Sequence, residues 1–173
     1  MASKIKVDEL ETVDGSGTIA LQNQLSGMTS ASMPTGSVLQ VINTFYVGTV
    51  ASSSATPADV TGFSAVITPS STSSKILVNV STYFGFDTGD PYPYILLLRN
   101  GTSIAVGTTT GGSRVATFLS GANVDGDANA TSQYKWIPAS KMYLDSPSST
   151  SELTYKIQFA NGYTGTAYLN RQG

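Results

Sequence analysis

The sequence predicts an all-β protein, an antiparallel β-sandwich of the jelly-roll type preceded by an N-terminal extended arm or hairpin. Three observations favour this fold. Apolar and polar residues alternate in several short segments after Val38. Turn-forming residues separate these segments at fairly regular intervals, and no segment sustains a helical period. We expect eight or so strands over roughly 135 residues, which suits a two-sheet jelly roll.

Residues 1–33 differ from the rest and are predicted to form an attachment arm and linker, with the sandwich in residues 34–173. The apolar side chains of the arm are those of Ile5, Val7, Leu10, Val13, Ile19 and Leu21. A Gly-rich turn at residues 14–17 divides them into two short strands, and a lone two-stranded hairpin is marginal in water. We therefore expect the arm to need a partner surface, although a short helix over residues 7–13 stays open.

The body is predicted to contain strands at residues 38–47, 62–68, 75–84, 94–99, 102–106, 153–159 and 166–170. The first of these is apolar on both faces, so it needs a second cover, either another sheet or another subunit. The third alternates well, with Ile76, Val78 and Val80 on one face. Asn100-Gly101 is a strong hairpin signal between two strands.

Composition excludes several classes of function. The chain has 173 residues, 40% of them hydrophobic and 12% charged, with a net charge of −2, which indicates an ordered domain and no footprint for nucleic acid. The longest apolar run is too short to cross a membrane. Lys4 and Lys6 are followed by acidic residues, so we expect no secretory signal.

The residue types needed for common catalysis are largely missing. The chain contains no histidine and no cysteine, so it can form neither a Ser-His-Asp triad nor a thiolate site. Asp87, Asp90, Asp125 and Asp127 could pair as carboxylates of a glycosidase, but aspartates in such loops usually serve turn formation. Residues 123–129 resemble a calcium loop with its glycine misplaced. We expect no enzyme, no cofactor and no metal.

An aromatic and acidic stretch is the candidate binding site. Asp87, Asp90, Tyr92 and Tyr94 could contact a glycan by stacking and hydrogen bonding. The alternative, which we favour, is that the tyrosine rings cover the end of the sandwich with their hydroxyls in water. Trp136 is expected in the core or in an interface.

Two parts of the sequence resemble proteins of tailed bacteriophages. Residues 3–21 resemble the N-terminal segment of phage fibre and virion-surface proteins. Residues 67–78, 153–158 and 166–171 are similar to a β domain that recurs in the same proteins. The resemblance implies a non-catalytic structural protein, synthesised in the host cytoplasm and placed on the virion as a decoration (cement) or short fibre subunit. Implied partners are further copies of the chain, as a trimer, and other capsid or tail proteins. The alternative is a receptor-binding module for a host surface glycan.

Overall fold

The computed structural model describes residues 33, 34, 36–86, 91–108, 115–121 and 135–172. The chain divides into two compact units, Met1–Leu39 and Gln40–Gly173. In the described part of the first unit, Ser37 N donates to Pro34 O at 3.1 Å. The six apolar arm residues predicted to mediate attachment lie outside the described residues.

The second unit is a β-sandwich. In chain order its strands are β1 (Val50–Ser52), β2 (Ala58–Ile67), β3 (Ile76–Phe86), β4 (Pro93–Arg99), β5 (Thr102–Ile104), β6 (Leu119–Ser120), β7 (Lys135–Asp145), β8 (Leu153–Asn161) and β9 (Ala167–Leu169). Sheet A has the order β1-β9-β3-β7 and sheet B has the order β2-β8-β4-β5, with β6 beside β4. All pairs are antiparallel, and consecutive strands alternate repeatedly between the sheets, as in a jelly roll. The predicted all-β sandwich is confirmed.

The core lies between the two sheets. Its centre is the stacked pair Phe84 and Phe159, whose ring centroids are 6.1 Å apart. Further buried apolar side chains surround this pair: Val60, Val80, Phe86, Ile95, Leu97, Phe118, Leu153, Ile157 and Leu169. No helix in the described part of the chain is long and apolar enough to cross a membrane.

Strand β3 determines how its neighbouring strand in sheet A is aligned. It pairs with β7 along its whole length, from Ile76↔Asp145 to Phe86↔Lys135. Its even-numbered residues face the core and its odd-numbered residues from Leu77 to Tyr83 face outward, as the alternation predicted. The predicted hairpin at Asn100-Gly101 also forms, with φ values of 48° and 83° that suit a tight turn between β4 and β5.

Two strand predictions need correction, and two further strands were not predicted. Residues 38–47 are not part of a sheet ladder, and the first strand instead begins at Val50. Strand β5 ends at Ile104 because Ala105 adopts a positive φ of 57°, which breaks the ladder. The strands that were not predicted are β6 and β7, the latter 11 residues long.

Candidate functional site

The segment at residues 40–49 lies beside the edge of the sandwich and runs into β1. Tyr46 anchors it by stacking on Phe63 of β2, with ring centroids 5.3 Å apart and planes 9° from parallel. The Thr44 hydroxyl donates to Ser64 O at 2.7 Å, and Asn170 Nδ2 donates to Tyr46 O at 3.3 Å. These contacts attach the segment to β2 of sheet B and to the end of β9 in sheet A.

The opposite face of this segment is an apolar ridge. Alternate residues of an extended chain point to opposite sides, so Tyr46 inside places its neighbours outside. Val41, Phe45 and Val47 are 79%, 85% and 83% exposed. Burying a Val or Phe side chain contributes about 1.5–3 kcal/mol, so leaving all three in water forgoes roughly 5 kcal/mol. Grouped exposed apolar side chains are a candidate interaction surface, in which Asn43 separates Val41 from Phe45 and Val47. We call these three residues the apolar ridge.

A second apolar surface covers the outer side of β3 and β7. Leu77 and Leu144 are paired directly across the two strands, and Met142 lies one pair further along, opposite Asn79. Leu77, Met142 and Leu144 are 63%, 64% and 58% exposed. At the other end of the strands, Tyr83 and Trp136 make an edge-to-face contact with centroids 5.8 Å apart. We call these five residues the outer face of sheet A.

The free margin of β7 carries features that oppose strand addition. Among the described residues β7 pairs with β3 alone. Pro138 lies within the strand and lacks a backbone donor. Lys141 is paired with the buried Val80, and its Nζ donates to Phe118 O at 2.8 Å and lies 4.9 Å from the Phe118 ring centroid. Proline and inward-turned lysine are devices that protect edge strands, so the outer face of β7 is a better contact surface than its edge.

A buried polar cluster joins the sheets at the opposite end of β7 from Trp136. The Asp145 carboxylate accepts hydrogen bonds from Arg99 Nη1, the Tyr155 hydroxyl and Ser146 N. The bond to Asp145 raises the pKa of Arg99, while burial and then the same carboxylate raise the pKa of Tyr155. Both pKa shifts keep Arg99 and Tyr155 protonated, and in that state both groups donate hydrogen bonds to the Asp145 carboxylate. This cluster is suited to cross-linking the sheets rather than to moving protons.

The four residues predicted to contact a glycan have different outcomes in the structure. Asp87 and Asp90 lie outside the described residues, as do Asp125 and Asp127. Tyr92 is half-exposed and contacts Tyr163 with ring centroids 5.7 Å apart. Tyr94 is buried, its hydroxyl donates to Ala55 O at 2.7 Å, and burial raises its pKa. Tyr94 is therefore part of the core rather than of an exposed surface.

The two exposed tyrosines share a buried support. Asn161, which has no exposed surface, accepts from Tyr92 N at 2.7 Å and from Tyr163 N at 3.4 Å through Oδ1. Its Nδ2 donates to Gly165 O at 2.9 Å. Gly162 N also donates to Tyr92 O at 2.9 Å. The backbones that carry both rings are thus held by one side chain.

Several exposed residues of these surfaces were not predicted from the sequence. Met142 and Leu144 were missed because β7 was not predicted, and Tyr163 was missed because it follows a strand in a loop. Leu77 was assigned correctly to the outward side of β3. Trp136 was expected in the core or an interface, and it lies half-exposed on the outer face of sheet A.

In the described part of the chain, no three acidic side chains come together as a metal site. Comparisons with protein-family models, with curated proteins and with solved structures found no match.

Proposed function

We propose that the chain is a non-catalytic structural subunit of a tailed-phage virion, in which the β body assembles with copies of itself and residues 1–33 attach it to the particle. The observation that carries the proposal is the apolar ridge. Val41, Phe45 and Val47 expose nearly their whole side chains on a segment that Tyr46 and Thr44 fasten to the body. An exposed apolar surface does not stabilise an isolated chain, whereas assembly with other chains removes that surface from water.

The composition supports the same proposal. A chain without histidine or cysteine lacks the thiol nucleophile, the imidazole base and the commonest transition-metal ligands. The resemblance of residues 3–21 and 67–78 to phage virion-surface proteins supplies the biological setting. A trimer is the assembly that this resemblance implies, and closed cyclic symmetry is the usual form of homo-oligomers.

The first test is the native mass of the full chain by size-exclusion chromatography with light scattering. A trimer of 18.0 kDa chains has a mass of about 54 kDa. We expect Phe45→Ser and Val47→Ser to lower the mass towards that of a monomer. The matched control is Ser73→Thr at an exposed turn, which leaves the mass unchanged. A monomeric full chain at micromolar concentration would contradict self-assembly.

The attachment role of the arm needs a separate experiment. Deletion of residues 1–33 is expected to leave the body folded by circular dichroism but absent from purified particles of the phage that encodes the chain. Complementation with the full chain provides the control. Incorporation of the truncated protein at full copy number would show that the body itself carries the attachment surface.

A second candidate function, recognition of a host surface glycan, is favoured by the Tyr92–Tyr163 pair. Two exposed aromatic rings on a backbone fixed by the buried Asn161 form a preorganised stacking surface. Nuclear magnetic resonance titration of the chain with host surface polysaccharide would test it. The function predicts shifts centred on Tyr92 and Tyr163 that Tyr163→Ala abolishes, and no response to any polysaccharide of the host would exclude it.

A further inference from the structure

We infer that the apolar ridge of one copy packs on the outer face of sheet A of the next copy, so that neighbouring copies meet through a heterologous contact. The inference rests on the proposed self-assembly and specifies its geometry. The occupant of the outer face is therefore a second copy of this chain.

The positions of the two surfaces support this pairing. The ridge leads into β1, which forms one edge of sheet A, and its segment is fastened to β2 of sheet B. The outer face is built on β3 and β7, and β7 forms the other edge of sheet A. The group of Leu77, Met142 and Leu144 lies towards the β7 margin of sheet A, so the ridge of the same chain cannot cover it. Tyr83 lies nearer the ridge segment, because the Tyr83 hydroxyl donates to Asn170 O and Asn170 Nδ2 donates to Tyr46 O. A two-fold contact of ridge on ridge would leave the outer face exposed, whereas ridge on face buries both.

The two surfaces differ in form. The ridge lies on a segment outside the sheet ladders, from which Val41, Phe45 and Val47 project. On the outer face, the paired Ser81 and Ser140 have short side chains and lie between two apolar groups. Leu77, Met142 and Leu144 form one group, and Tyr83 with Trp136 forms the other. The short serine side chains separate the two groups, and the inference places the ridge of the next copy between them.

Neither surface carries charge at its centre. Residues 40–49 contain no acidic or basic side chain, and the outward residues of β3 between Leu77 and Tyr83 are Asn79 and Ser81. On β7, Lys141 lies on the inward-facing side and bonds Phe118 O. The contact therefore removes no ionised group from water, which avoids the main cost of burying a polar surface.

The apolar side chains supply the centre of a contact rather than its whole area. At on the order of 100 Å² for each large apolar side chain, the eight residues contribute roughly 500 Å² after allowance for their partial exposure. An apolar centre of this size, surrounded by a polar rim, belongs to an interface that buries about 1,200–2,000 Å² in total. Repetition of a heterologous contact closes into a ring when the rotation between copies permits it. A trimer is one such ring.

Cysteine cross-linking can test the pairing directly because the chain contains no cysteine. We would prepare Phe45→Cys, Met142→Cys and the double variant, and treat each with a short bismaleimide. The inference predicts a covalent ladder that ends at the native copy number for the double variant and no cross-linking for either single variant. The control is Phe45→Cys combined with Ser103→Cys, which places the second thiol at an exposed position of β5, in the other sheet and at the edge of sheet B opposite β2.

The outcomes separate the inference from the proposed function. Efficient cross-linking of Phe45→Cys to itself would overturn the inference in favour of a two-fold ridge contact. An oligomer by light scattering whose double variant gives no ladder would overturn the inference while leaving self-assembly intact. A monomer by light scattering would overturn both. Repetition with Leu77→Cys in place of Met142→Cys guards against loss of the contact through the substitution itself.

Discussion

Arg99 holds the Asp145 carboxylate through Nη1, at 2.8 Å from one oxygen and 2.7 Å from the other. Arg99 ends β4 in sheet B and Asp145 ends β7 in sheet A, so this ion pair ties one sheet to the other. Tyr155 of β8 donates its hydroxyl to the same carboxylate at 2.6 Å. Asp145 is 4% exposed, and its buried charge is fully compensated by these partners.

Removal of this carboxylate is expected to destabilise the body. In Asp145→Ala the Tyr155 hydroxyl loses its acceptor and Arg99 loses its counter-ion. Breaking a buried pair costs about 3–5 kcal/mol, and the partial exposure of Arg99 lowers our expectation to roughly 2–3 kcal/mol. Urea denaturation at one fixed protein concentration would measure the loss. The control is Asp59→Ala, which breaks an exposed ion pair with Lys156 and is expected to change stability little. Equal losses of unfolding free energy in the two variants would contradict the role of Asp145 in linking the two sheets.

The Tyr155 hydroxyl should make stability fall at alkaline pH. Burial and the bond to Asp145 raise its pKa above the ordinary value of 10.0. The folded chain therefore keeps a proton that the unfolded chain releases, so the contribution of Tyr155 is complete below about pH 10 and is lost as the pH rises further. We expect Tyr155→Phe to be less stable by about 1–3 kcal/mol near neutral pH, because a hydrogen bond to a charged group is removed.

The measurement is the free energy of unfolding of both proteins from about pH 8 to about pH 12. The difference between them should narrow above about pH 10. Tyr155→Phe should still lose some stability at alkaline pH, because burial also raises the pKa of Tyr94. Two curves that stay parallel over this range would show that Tyr155 is not the titrating group.

The chain allows a matched comparison of two phenylalanine substitutions, one in the core and one on the apolar ridge. Phe159 is fully buried against Phe84, whereas Phe45 projects into solvent. We expect Phe159→Ala to cost about 3–5 kcal/mol of unfolding free energy. Phe45→Ala should cost little in dilute solution, where copies are dissociated, while weakening self-assembly. Thermal melts at low and high protein concentration would distinguish these effects. If Phe45→Ala destabilised the dilute chain as much as Phe159→Ala, the ridge would be packed within its own chain.

A glycine in β3 permits a close approach of the chain beyond β9. A Cβ added at Gly85 would lie 1.9 Å from Arg171 O, a backbone atom that cannot swing aside. We expect Gly85→Ala to cost about 1–3 kcal/mol or more through overpacking. Gly107→Ala is the control because a Cβ there meets nothing within 4 Å, and it should be neutral. Calorimetric melting of both variants would check the prediction, which fails if their melting temperatures coincide.

The sequence was informative wherever one face of a strand is buried and the other is polar. Strand β8 alternates strictly, and its residues Leu153, Tyr155 and Ile157 are buried as predicted. Strand β7 was missed for the opposite reason. Its outward side carries Trp136 and Met142 while its inward side carries Lys141, so hydrophobicity does not follow the period of two. Pro138 within it further argues against a strand.

The ridge shows a different limit of prediction from sequence. Residues 38–47 are apolar on both faces, and the need for a second cover that this pattern indicates stays a prediction. Hydrophobic pattern gives the direction of side chains but says nothing of whether a neighbouring strand is present to pair with the backbone. The Asn161 support for Tyr92 and Tyr163 was equally inaccessible, because it depends on loops brought together by β4 and β8.

The bond between Asn170 Nδ2 and Tyr46 O joins residues 124 positions apart in the chain. β1 likewise pairs with β9, so the first and last strands of the body complete the sheet together. Folds dominated by such distant pairings form slowly, since chain entropy must be lost before the contacts are gained. During synthesis, the contacts of Thr44 and Tyr46 with β2 can form early, whereas the bond from Asn170 and the pairing of β1 with β9 must wait until almost the entire body has left the ribosome. Nascent chains on one polysome consequently lack the finished β1 edge of sheet A until each chain is released.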